Sequence, residues 1–494
     1  MPFRKVLIAN RGEIAVRVAR TCRAMGMGTV AVFSEADRDA LHVREAGEAV
    51  AIGPAEAARS YLDIERIVAA ARDTGAEAVH PGYGFLSQNG DFAEAVARAG
   101  LVFVGPPAEV HRRMGDKQAA RRLMTEAGVP VVPGYDGDDQ TDAALRAAGE
   151  RIGWPVLIKP SRGGGGKGMR VVRAAAEFVA ELGASRREAK AAFGDDRVVL
   201  ERFVERPRHV EVQVLGDTQG TLVHLFEREC SIQRRHQKIV EETPSPALDA
   251  SLRARLCAAG VAAARAAHYV NAGTVEFLLA PDGGFHFLEM NTRLQVEHPV
   301  TEAVTGLDLV RLQMEIAAGR PLPFAQDEVT ARGHALECRI YAEDPARDDL
   351  PSPGRVLHVS APAGPGVRFD TGVEAGSEVT VHYDPLLAKL ITWGADRTES
   401  IQRMAAALAQ TVVLGVTTNH ARLRAIVDHP SFRGGDLHTR FVDEHLPAAE
   451  PSCPPAEAVA AAVAALHGAP GAQDGGRPAA PDPWSSLGPW RLGA

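Results

Sequence analysis

The sequence predicts a multidomain protein of mixed α/β and α+β class. We expect an N-terminal doubly wound parallel sheet, a central region of antiparallel strands and a mixed, β-rich C-terminal domain. The first observation behind this prediction is length, because 494 residues correspond to about three domains at roughly 150 residues each. The second is apolar patterning, in which strands alternate with helices near the N-terminus and are then followed by runs of strands.

Composition and charge exclude several classes of protein. The chain has 45% hydrophobic and 24% charged residues, and 55 basic against 63 acidic side chains give a net charge of −8. No stretch is dense in lysine and arginine, which argues against a nucleic-acid partner. No apolar stretch approaches the ~18 residues of a membrane helix, the start lacks a signal-peptide layout, and the cysteines form no CxxC pair. We therefore expect a cytoplasmic enzyme without a nucleic-acid or membrane partner.

Strand–helix units open the chain. Residues 5–9 and 29–33 form apolar runs, and between them Ile14 and Val18 recur at helical spacing. Such units predict a parallel sheet with helices on both faces. Ligands of these sheets bind beyond the carboxyl ends of the strands, where the loop at residues 80–84 is expected to lie.

Changes in pattern set the predicted domain boundaries. We expect the N-terminal α/β domain at 1–115, the central domain at 116–330 and the C-terminal domain at 331–446. Residues 447–482 are rich in alanine, proline and glycine and have the composition of a linker. Residues 483–494 form a separate, tryptophan-containing segment.

A glycine-rich loop at residues 161–169 follows a strand that ends in Lys159. Consecutive glycines let backbone N–H groups approach phosphate oxygens, and the flanking lysines add positive charge. The loop lacks the spacing of a P-loop and precedes a strand rather than a helix. Both a phosphate-binding loop and a flexible hairpin tip fit this pattern.

A predicted hairpin at residues 274–291 opposes two carboxylates. If Asp282 and Gly283 form a two-residue loop, Glu276 faces Glu289 across the hairpin. Directly opposed carboxylates repel each other, whereas a divalent cation bound between them makes their arrangement favourable. Oxygen ligands of this kind suit magnesium. Asn291 continues the same face with a third oxygen. The hairpin therefore predicts a magnesium site, and the alternative is a solvated hairpin that tolerates the repulsion.

Three polar strips accompany this hairpin. If residues 289–297 are extended, every second side chain presents a metal ligand, a cation or a carboxylate to one face, as a polar edge strand also would. Residues 209–213 alternate polar side chains with valines, which is typical of a half-buried strand. Residues 230–242 are dense in cationic side chains, which favours a polyanion site but also fits a surface basic cluster. Together the strips predict a magnesium–nucleotide site beside a second anion site.

Several longer strings carry a resemblance to biotin carboxylase, an ATP-grasp enzyme, over about residues 2–446. The matching strings are IANRGEI at 8–14, HPGYGFLS at 80–87, MGDK at 114–117, PRHVE at 207–211, QRRHQK at 233–238 and EMNTRLQVEHP at 289–299. Segments 337–345 and 351–354 extend the match. The resemblance implies an ATP-grasp central region with a mobile lid at about 131–203.

The resemblance also implies nucleotide and metal sites. The nucleotide-binding positions would be Lys117, Lys159, Gly165, Gly166, Met169, Glu201, Arg202, Val204, His209, Gln233 and His236. Magnesium, or manganese, would be bound by Glu276, Glu289 and Asn291, in agreement with the hairpin.

The carboxylation site follows from the same resemblance. Bicarbonate would be bound by Lys238, Arg293, Gln295 and Val296. Glu297 would deprotonate bicarbonate, Arg339 would stabilise the enolate form of biotin, and Tyr83 would lie beside biotin. The catalytic residues would be Lys238, Arg293, Glu297 and Arg339.

The implied reaction is ATP-dependent carboxylation of biotin by bicarbonate, as the first half-reaction of an acyl-CoA carboxylase. The cofactors would be ATP, magnesium and carrier-bound biotin, and the partners a biotin carrier, a carboxyltransferase and a second copy of the chain. The acceptor would be acetyl-, propionyl- or methylcrotonyl-CoA. Alternatives are the corresponding part of a pyruvate or urea carboxylase, another ATP-grasp ligase, or a catalytically silent regulator.

Two positions differ from the residues that are usual in the family, and the C-terminal segment bears on the type of subunit. The family often has Glu where Gln88 stands and Gly where Arg162 stands. No methionine is followed by lysine, so the biotin-attachment motif is absent and the carrier is expected on another chain or a removed segment. Residues 483–492 resemble the start of the region that joins carboxylase to carrier in long α chains. A divided or shortened α subunit and a free-standing subunit are both consistent with this tail.

Overall fold

A computed structural model describes residues 3–161 and 168–446 of the chain. The predicted linker at 447–482, the segment at 483–494, and Arg162, Gly165 and Gly166 of the glycine-rich loop lie outside the described residues. Within the described ranges, every helix is too short or too polar to cross a bilayer.

Five parallel strands form the N-terminal sheet in the order β3-β2-β1-β4-β5. The strands are β1 (Lys5–Ile8), β2 (Gly28–Ser34), β3 (Glu48–Gly53), β4 (Ala78–His80) and β5 (Val102–Phe103). The helices are α1 (Gly12–Ala24), α2 (Leu41–Glu45), α3 (Ile64–Asp73), α4 (Gly90–Arg98) and α5 (Ala108–Gly115).

Alternate residues of β1 pack on opposite faces of this sheet. Val6 and Ile8 join one core with Ile14 of α1, whereas Leu7 joins a second core with Phe92 of α4. The helices therefore cover both faces, and the predicted doubly wound sheet is confirmed.

A smaller antiparallel sheet follows, in the order β6-β9-β7-β8. Its strands are β6 (Gly134–Tyr135), β7 (Val156–Pro160), β8 (Arg170–Val172) and β9 (Val198–Arg202). The helices of this region are α6 (Lys117–Glu126), α7 (Asp142–Ile152) and α8 (Phe178–Phe193). Leu145 of α7 and Phe178 of α8 pack on Ile158 and Leu200 of the sheet, so this part of the chain has a core of its own.

The rest of the described chain continues with strands and helices in two groups. The first group is β10 (Arg208–Gly216), β11 (Leu222–Arg234), β12 (Gln237–Thr243), β13 (Asn271–Leu279), β14 (Phe285–Asn291), α9 (Ala250–Ala266), α10 (His298–Thr305) and α11 (Leu309–Ala317). The second group is β15 (His334–Tyr341), β16 (Glu343–Asp344), β17 (Leu350–Pro351), β18 (Gly354–Arg355), β19 (His358–Ser360), β20 (Val367–Thr371), β21 (Glu378–Val379), β22 (Leu386–Gly394), β23 (Val412–Leu414), α12 (Arg397–Gln410), α13 (His420–Asp428), α14 (Pro430–Arg433) and α15 (Phe441–His445).

One eight-stranded sheet runs through both groups in the order β14-β13-β10-β11-β12-β15-β22-β20. The link is the antiparallel pair β12–β15, in which Val240 lies opposite Cys338. Side chains on β10, β12, β13 and β15 are therefore fixed relative to one another by a single hydrogen-bonded framework. This sheet was not foreseen from the sequence, which placed the two groups in separate domains.

The β13–β14 hairpin differs from its predicted form in one respect. Ala280 donates to the Gly284 carbonyl at 2.7 Å, which closes a three-residue loop, and Gly283 adopts φ +81°, a conformation that favours glycine. The predicted two-residue loop is therefore wrong. A register shift beside Glu276 compensates for the extra loop residue, so Glu276 still lies opposite Glu289.

Candidate active site

The cation at the centre of the candidate site is Lys238, on β12. Its Nζ donates hydrogen bonds to carboxylates on three other segments: Glu211 at 2.6 Å, Glu276 at 2.8 Å and Glu297 at 2.8 Å. Burial alone would lower the pKa of Lys238, but these carboxylates hold that pKa well above its usual value. Lys238 therefore remains charged at any physiological pH.

Glu297 lies immediately before α10 and is fully buried. One carboxylate oxygen accepts from Lys238, and the other accepts from Arg339 Nη2 at 2.9 Å. Burial alone would raise the pKa of Glu297, yet the charges of Lys238 and Arg339 keep it well below its ordinary value. Glu297 is thus an ionised carboxylate between two cations, which is the state that a general base requires.

Arg339, on β15, connects Glu297 to a second carboxylate. Its Nε donates to Glu241 at 2.5 Å, and burial raises the pKa of Glu241 to about 7 even though Arg339 opposes the shift. The carboxylates on both sides hold the pKa of Arg339 well above its usual value despite burial. A permanent cation therefore lies beside the candidate base.

The β13–β14 hairpin, which carries the predicted metal ligands, presents oxygen atoms beside these charged side chains. Glu276 Oε1 accepts from Asn291 Nδ2 at 2.8 Å and from Gln295 Nε2 at 2.9 Å, and Oε2 lies 2.9 Å from His209 Nε2. Burial would raise the pKa of Glu276, but Lys238 and His209 lower it, so this predicted metal ligand is ionised. Two carboxylates and an amide oxygen make a donor set that fits magnesium, and Glu289 is the exposed member of the set.

The two carboxylates of the hairpin differ in their electrostatics. Partial enclosure in the cleft raises the pKa of Glu289, and the negative charge of Glu276 adds to the shift. This is the like-charge repulsion that the hairpin register predicts, and a bound divalent cation would remove it.

The polar strip does not stay extended to Glu297 as predicted. Strand β14 ends at Asn291, and residues 292–297 are irregular. The side chains nevertheless converge, because Arg293 Nη1 donates to Gln295 Oε1 at 2.6 Å and Gln295 in turn donates to Glu276. Burial lowers the pKa of Arg293 while the surrounding carboxylates oppose that shift.

A small cavity of about 80 Å³ lies between the smaller sheet and β14. Lys117, Lys159, Glu201 and Glu289 line it together with apolar side chains such as Phe287. Lys159 forms a close ion pair with Glu201, so two predicted nucleotide-binding residues contact each other directly.

Some of the other predicted nucleotide-binding residues lie beside Glu276, whereas others are exposed. Gln233 Nε2 lies 2.8 Å from His209 Nδ1, which puts this pair beside Glu276. His236 is exposed in the β11–β12 turn at φ +68°, and Met169 is also exposed. Arg202 is the exposed last residue of β9, and Val204, two residues later, is half-buried.

Tyr83 belongs to the loop beyond β4, at the carboxyl edge of the parallel sheet. Asn10 Nδ2 donates to the carbonyls of Pro81 and Tyr83, each at 2.7 Å. Gly82 adopts φ +61°, and a Cβ there would approach Asn10 Nδ2 to 2.8 Å, so only glycine allows this contact. Gln88, at the end of the same loop, accepts from the Thr292 N–H at 2.9 Å, as the Glu of the family also could.

Sequence reasoning missed a row of charges on neighbouring strands that is buried except at its last member, Glu289. Arg228, Glu211, Glu276 and Glu289 are successive partners across β11, β10, β13 and β14. Arg228 is fully buried, and its Nε donates to Glu211 at 2.6 Å. The alternation at 209–213 was a signal for Glu211, but Arg228 stands between Glu227 and Glu229 in the sequence, a charged run that is typical of an exposed segment.

Three family models match successive parts of the chain. Residues 2–111 match the biotin carboxylase N-terminal domain, residues 116–325 the ATP-binding domain of the carbamoyl-phosphate synthase L chain, and residues 337–444 the biotin carboxylase C-terminal domain.

Relatives and solved structures agree with these models. Biotin carboxylase from Nostoc is 51% identical over 444 residues, which are 90% of this chain and 99% of that protein. The mitochondrial methylcrotonoyl-CoA carboxylase subunit alpha from rat is 52% identical over 442 residues, 89% of this chain. The chain spans about three fifths of that relative, since the match covers 62% of it.

A solved structure of the biotin carboxylase domain of Hydrogenobacter thermophilus 2-oxoglutarate carboxylase has 44% identity and a TM-score of 0.84. The match covers 90% of this chain and 98% of that chain. That structure is a dimer in complex with magnesium ADP, ADP and bicarbonate. The sequence-based assignment is confirmed, and the chain belongs to the biotin carboxylase family of ATP-dependent ligases.

Proposed function

We propose that the chain carboxylates biotin at the expense of ATP, with bicarbonate as the carbon source and carboxyphosphate as the intermediate. The observation that carries this proposal is Glu297, an ionised carboxylate held between Lys238 and Arg339. A general base acts on a mobile substrate proton, and cations beside it can bind a substrate anion. Bicarbonate supplies such a proton and also an anion for the cations to bind.

The first stage forms carboxyphosphate. Bicarbonate binds against Lys238 and Arg293, and Glu297 accepts its proton, which makes the bound anion a stronger nucleophile. An oxygen of this anion attacks the γ-phosphoryl group of ATP and ADP leaves. Lys117 and Lys159 offset the charge that develops on the phosphoryl oxygens. Magnesium, when bound by the hairpin, supplies further charge stabilisation at the phosphates.

The second stage transfers the carboxyl group. Carboxyphosphate splits into CO₂ and phosphate, and the phosphate takes the proton of the biotin ureido nitrogen. Arg339 stabilises the resulting enolate, which captures CO₂ to give carboxybiotin. Tyr83 supports the biotin rings from the N-terminal domain. Because carboxyphosphate hydrolyses readily, we infer that the smaller sheet at about 131–203 closes over the site as a lid and excludes water.

The partners and final acceptor follow from the longer relatives. We infer that biotin arrives on a carrier protein or domain, that a carboxyltransferase uses the product, and that the chain acts as a dimer in the cytoplasm. The match to methylcrotonoyl-CoA carboxylase subunit alpha supports an acyl-CoA as the acceptor. Carboxyl transfer from the loaded carrier to acetyl-, propionyl- and methylcrotonyl-CoA, with pyruvate as the alternative, would identify it.

The direct test is ATP hydrolysis with and without bicarbonate, and with and without free biotin. We expect hydrolysis to require bicarbonate, to rise with biotin and to yield acid-labile carboxybiotin from labelled bicarbonate. The Glu297→Gln variant should lose about 10²- to 10⁴-fold in bicarbonate-dependent turnover while its nucleotide affinity stays unchanged. Hydrolysis that ignores bicarbonate in the unaltered chain would contradict the proposal.

A further inference from the structure

Lys389 is a buried lysine that none of the proposed steps uses. It lies on β22 with a side chain of 0% exposure, and it is paired directly with Arg339 on β15. Its Nζ donates to the Val296 carbonyl at 2.8 Å and lies 3.2 Å from Glu13 Oε1. The same Nζ is 5.8 Å from the centroid of the Tyr83 ring. One ammonium group, carried by the strand that pairs with Arg339, therefore lies against the N-terminal domain and the central region.

Burial of this charge calls for an explanation. Removing an ammonium group from water costs several kcal/mol, and well-packed apolar side chains often serve stability equally well. The carboxylate of Glu13 is only a partial compensation, because burial raises its pKa and Lys389 opposes that shift. If Lys389 served only to neutralise Glu13, its hydrogen bond to Val296 would not be needed. The hydrogen bond to the Val296 carbonyl therefore points to a further role.

The segment that Lys389 holds is irregular and carries the candidate base. Residues 292–297 follow the end of β14 and precede α10, so no strand ladder fixes the Val296–Glu297 peptide. Val296 is itself a predicted bicarbonate contact, and Glu297 is the next residue. A hydrogen bond from a rigid sheet to this carbonyl limits how far the carboxylate of Glu297 can move.

The junction around Lys389 is tightly packed. A Cβ at Gly372, just after β20, would lie 2.5 Å from the backbone nitrogen of Glu13, so the C-terminal domain approaches the start of α1 at van der Waals contact. Asp370 is the directly paired neighbour of Lys389 on β20. This packing leaves Lys389 little freedom to change its partners.

We propose that Lys389 is a positioning residue of the carboxylation site, which holds the Val296–Glu297 peptide and the Tyr83 ring in register with Arg339. The proposal rests on the proposed function, since it concerns the geometry of the same reaction. Lys389 touches no reacting atom; it acts through the backbone that presents Glu297 and through the ring beside the biotin position. A displacement of about 1 Å at a reacting centre lowers a rate by about 100-fold.

Four variants separate positioning from simple charge neutralisation. Lys389→Met removes the donor, Lys389→Arg keeps a donor and a charge, and Glu13→Gln combined with Lys389→Met removes the charge pair together. Lys5→Met is the matched control, because Lys5 Nζ also contacts one carboxylate, Glu48 at 2.6 Å, and one backbone carbonyl, Thr74 at 2.8 Å, away from the site. Each protein is assayed for bicarbonate-dependent kcat/KM, ADP affinity and thermal midpoint.

We expect Lys389→Met to lower kcat/KM for bicarbonate by about 100-fold with little change in ADP affinity. The double variant should regain part of the thermal midpoint but not the turnover, because Glu337 and Asp370 also interact with Lys389. Lys389→Arg should recover part of the turnover. Lys5→Met should match the unaltered chain in turnover. If Lys389→Met does not fold, the double and arginine variants decide the question.

Two outcomes overturn the role of Lys389. Full turnover in Lys389→Met would show that the Val296 contact is dispensable, and recovery of turnover in the double variant would show that Lys389 only neutralises Glu13. An unaltered chain without bicarbonate-dependent turnover would instead refute the proposed function. In that case, unchanged amide hydrogen exchange at residues 293–298 in Lys389→Met would also refute the positioning contact.

Discussion

Removing one of the opposed carboxylates of the β13–β14 hairpin should change the stability of the chain in opposite directions with and without magnesium. Glu276 and Glu289 are direct cross-strand partners, and Glu289 is the exposed member of the pair. Replacing Glu289 by Gln keeps its shape and removes its charge. We expect the variant to be more stable than the unaltered chain without magnesium and less stable with it.

The magnitudes follow from the spacing of a cross-strand pair. Two unit charges ~5 Å apart repel by about 3 kcal/mol at an effective dielectric constant of 20 and by about 1 kcal/mol in water. The exposure of Glu289 favours the lower figure, so without magnesium the variant should gain about 1 kcal/mol in unfolding free energy. A ligand at 100 times its Kd stabilises by about 2.7 kcal/mol, and binding weakened about 100-fold leaves about 0.4 kcal/mol. The variant is therefore the more stable protein without magnesium, and the unaltered chain is the more stable one with it.

The assay is urea denaturation of both proteins with ADP, in the presence of a chelator or of magnesium. Glu150→Gln is the matched control, because Glu150 is an exposed glutamate paired with Arg146 on α7, at 3.3 Å, without an opposed carboxylate. It should respond to magnesium as the unaltered chain does. Equal stabilisation of Glu289→Gln and the unaltered chain by magnesium would refute the assignment of Glu289 as a ligand.

Three further predictions concern buried ionisable side chains. Arg228→Met removes one of the two cations that contact Glu211 and leaves Lys238 as the other, so we expect a loss of about 3 kcal/mol in urea denaturation; a loss below about 1 kcal/mol would contradict this. Burial lowers the pKa of His42 and His80 from 6.5 to about 4, so the unfolded chain binds protons first as the pH falls. The stability that these two histidines contribute is complete above pH 6.5 and declines as the pH falls through 4, by about 3 kcal/mol each. Constant stability between pH 7 and 4.5 would show that they are not buried in the neutral form. Arg339→Gln should abolish the stimulation of ATP hydrolysis by biotin, and biotin stimulation of normal size would exclude Arg339 from the second half of the reaction.

The sequence was a good guide to local structure. The apolar runs at 5–9 and 29–33 correspond to β1 and β2, and Ile14 and Val18, which recur at helical spacing, lie in α1. Apolar periodicity reports the face that a segment buries, so it is informative wherever burial is regular. Even the pairing of Glu276 with Glu289 was predicted, although an extra loop residue and a register shift had to cancel.

Tertiary arrangement explains what the sequence could not predict. The join between β12 and β15 links strands about a hundred residues apart, and no local pattern reports such a pair. The contact of Lys389 with Val296 depends on that same sheet. Arg228 and Glu211 are buried as an ion pair, with Lys238 as a second cation at Glu211, whereas sequence patterns predict charged residues at the surface. The chemical roles of the site residues stay predictions until variants are assayed.

Carboxyphosphate is the central claim of the proposed function, and oxygen-18 tests it most directly. If bicarbonate attacks the γ-phosphoryl group, then ATP turnover with ¹⁸O-bicarbonate in unlabelled water transfers one labelled oxygen to each inorganic phosphate released. Glu297→Gln should reduce this transfer together with turnover. Phosphate that contains only oxygen from ATP and water, at a full rate of hydrolysis, would contradict the route through carboxyphosphate.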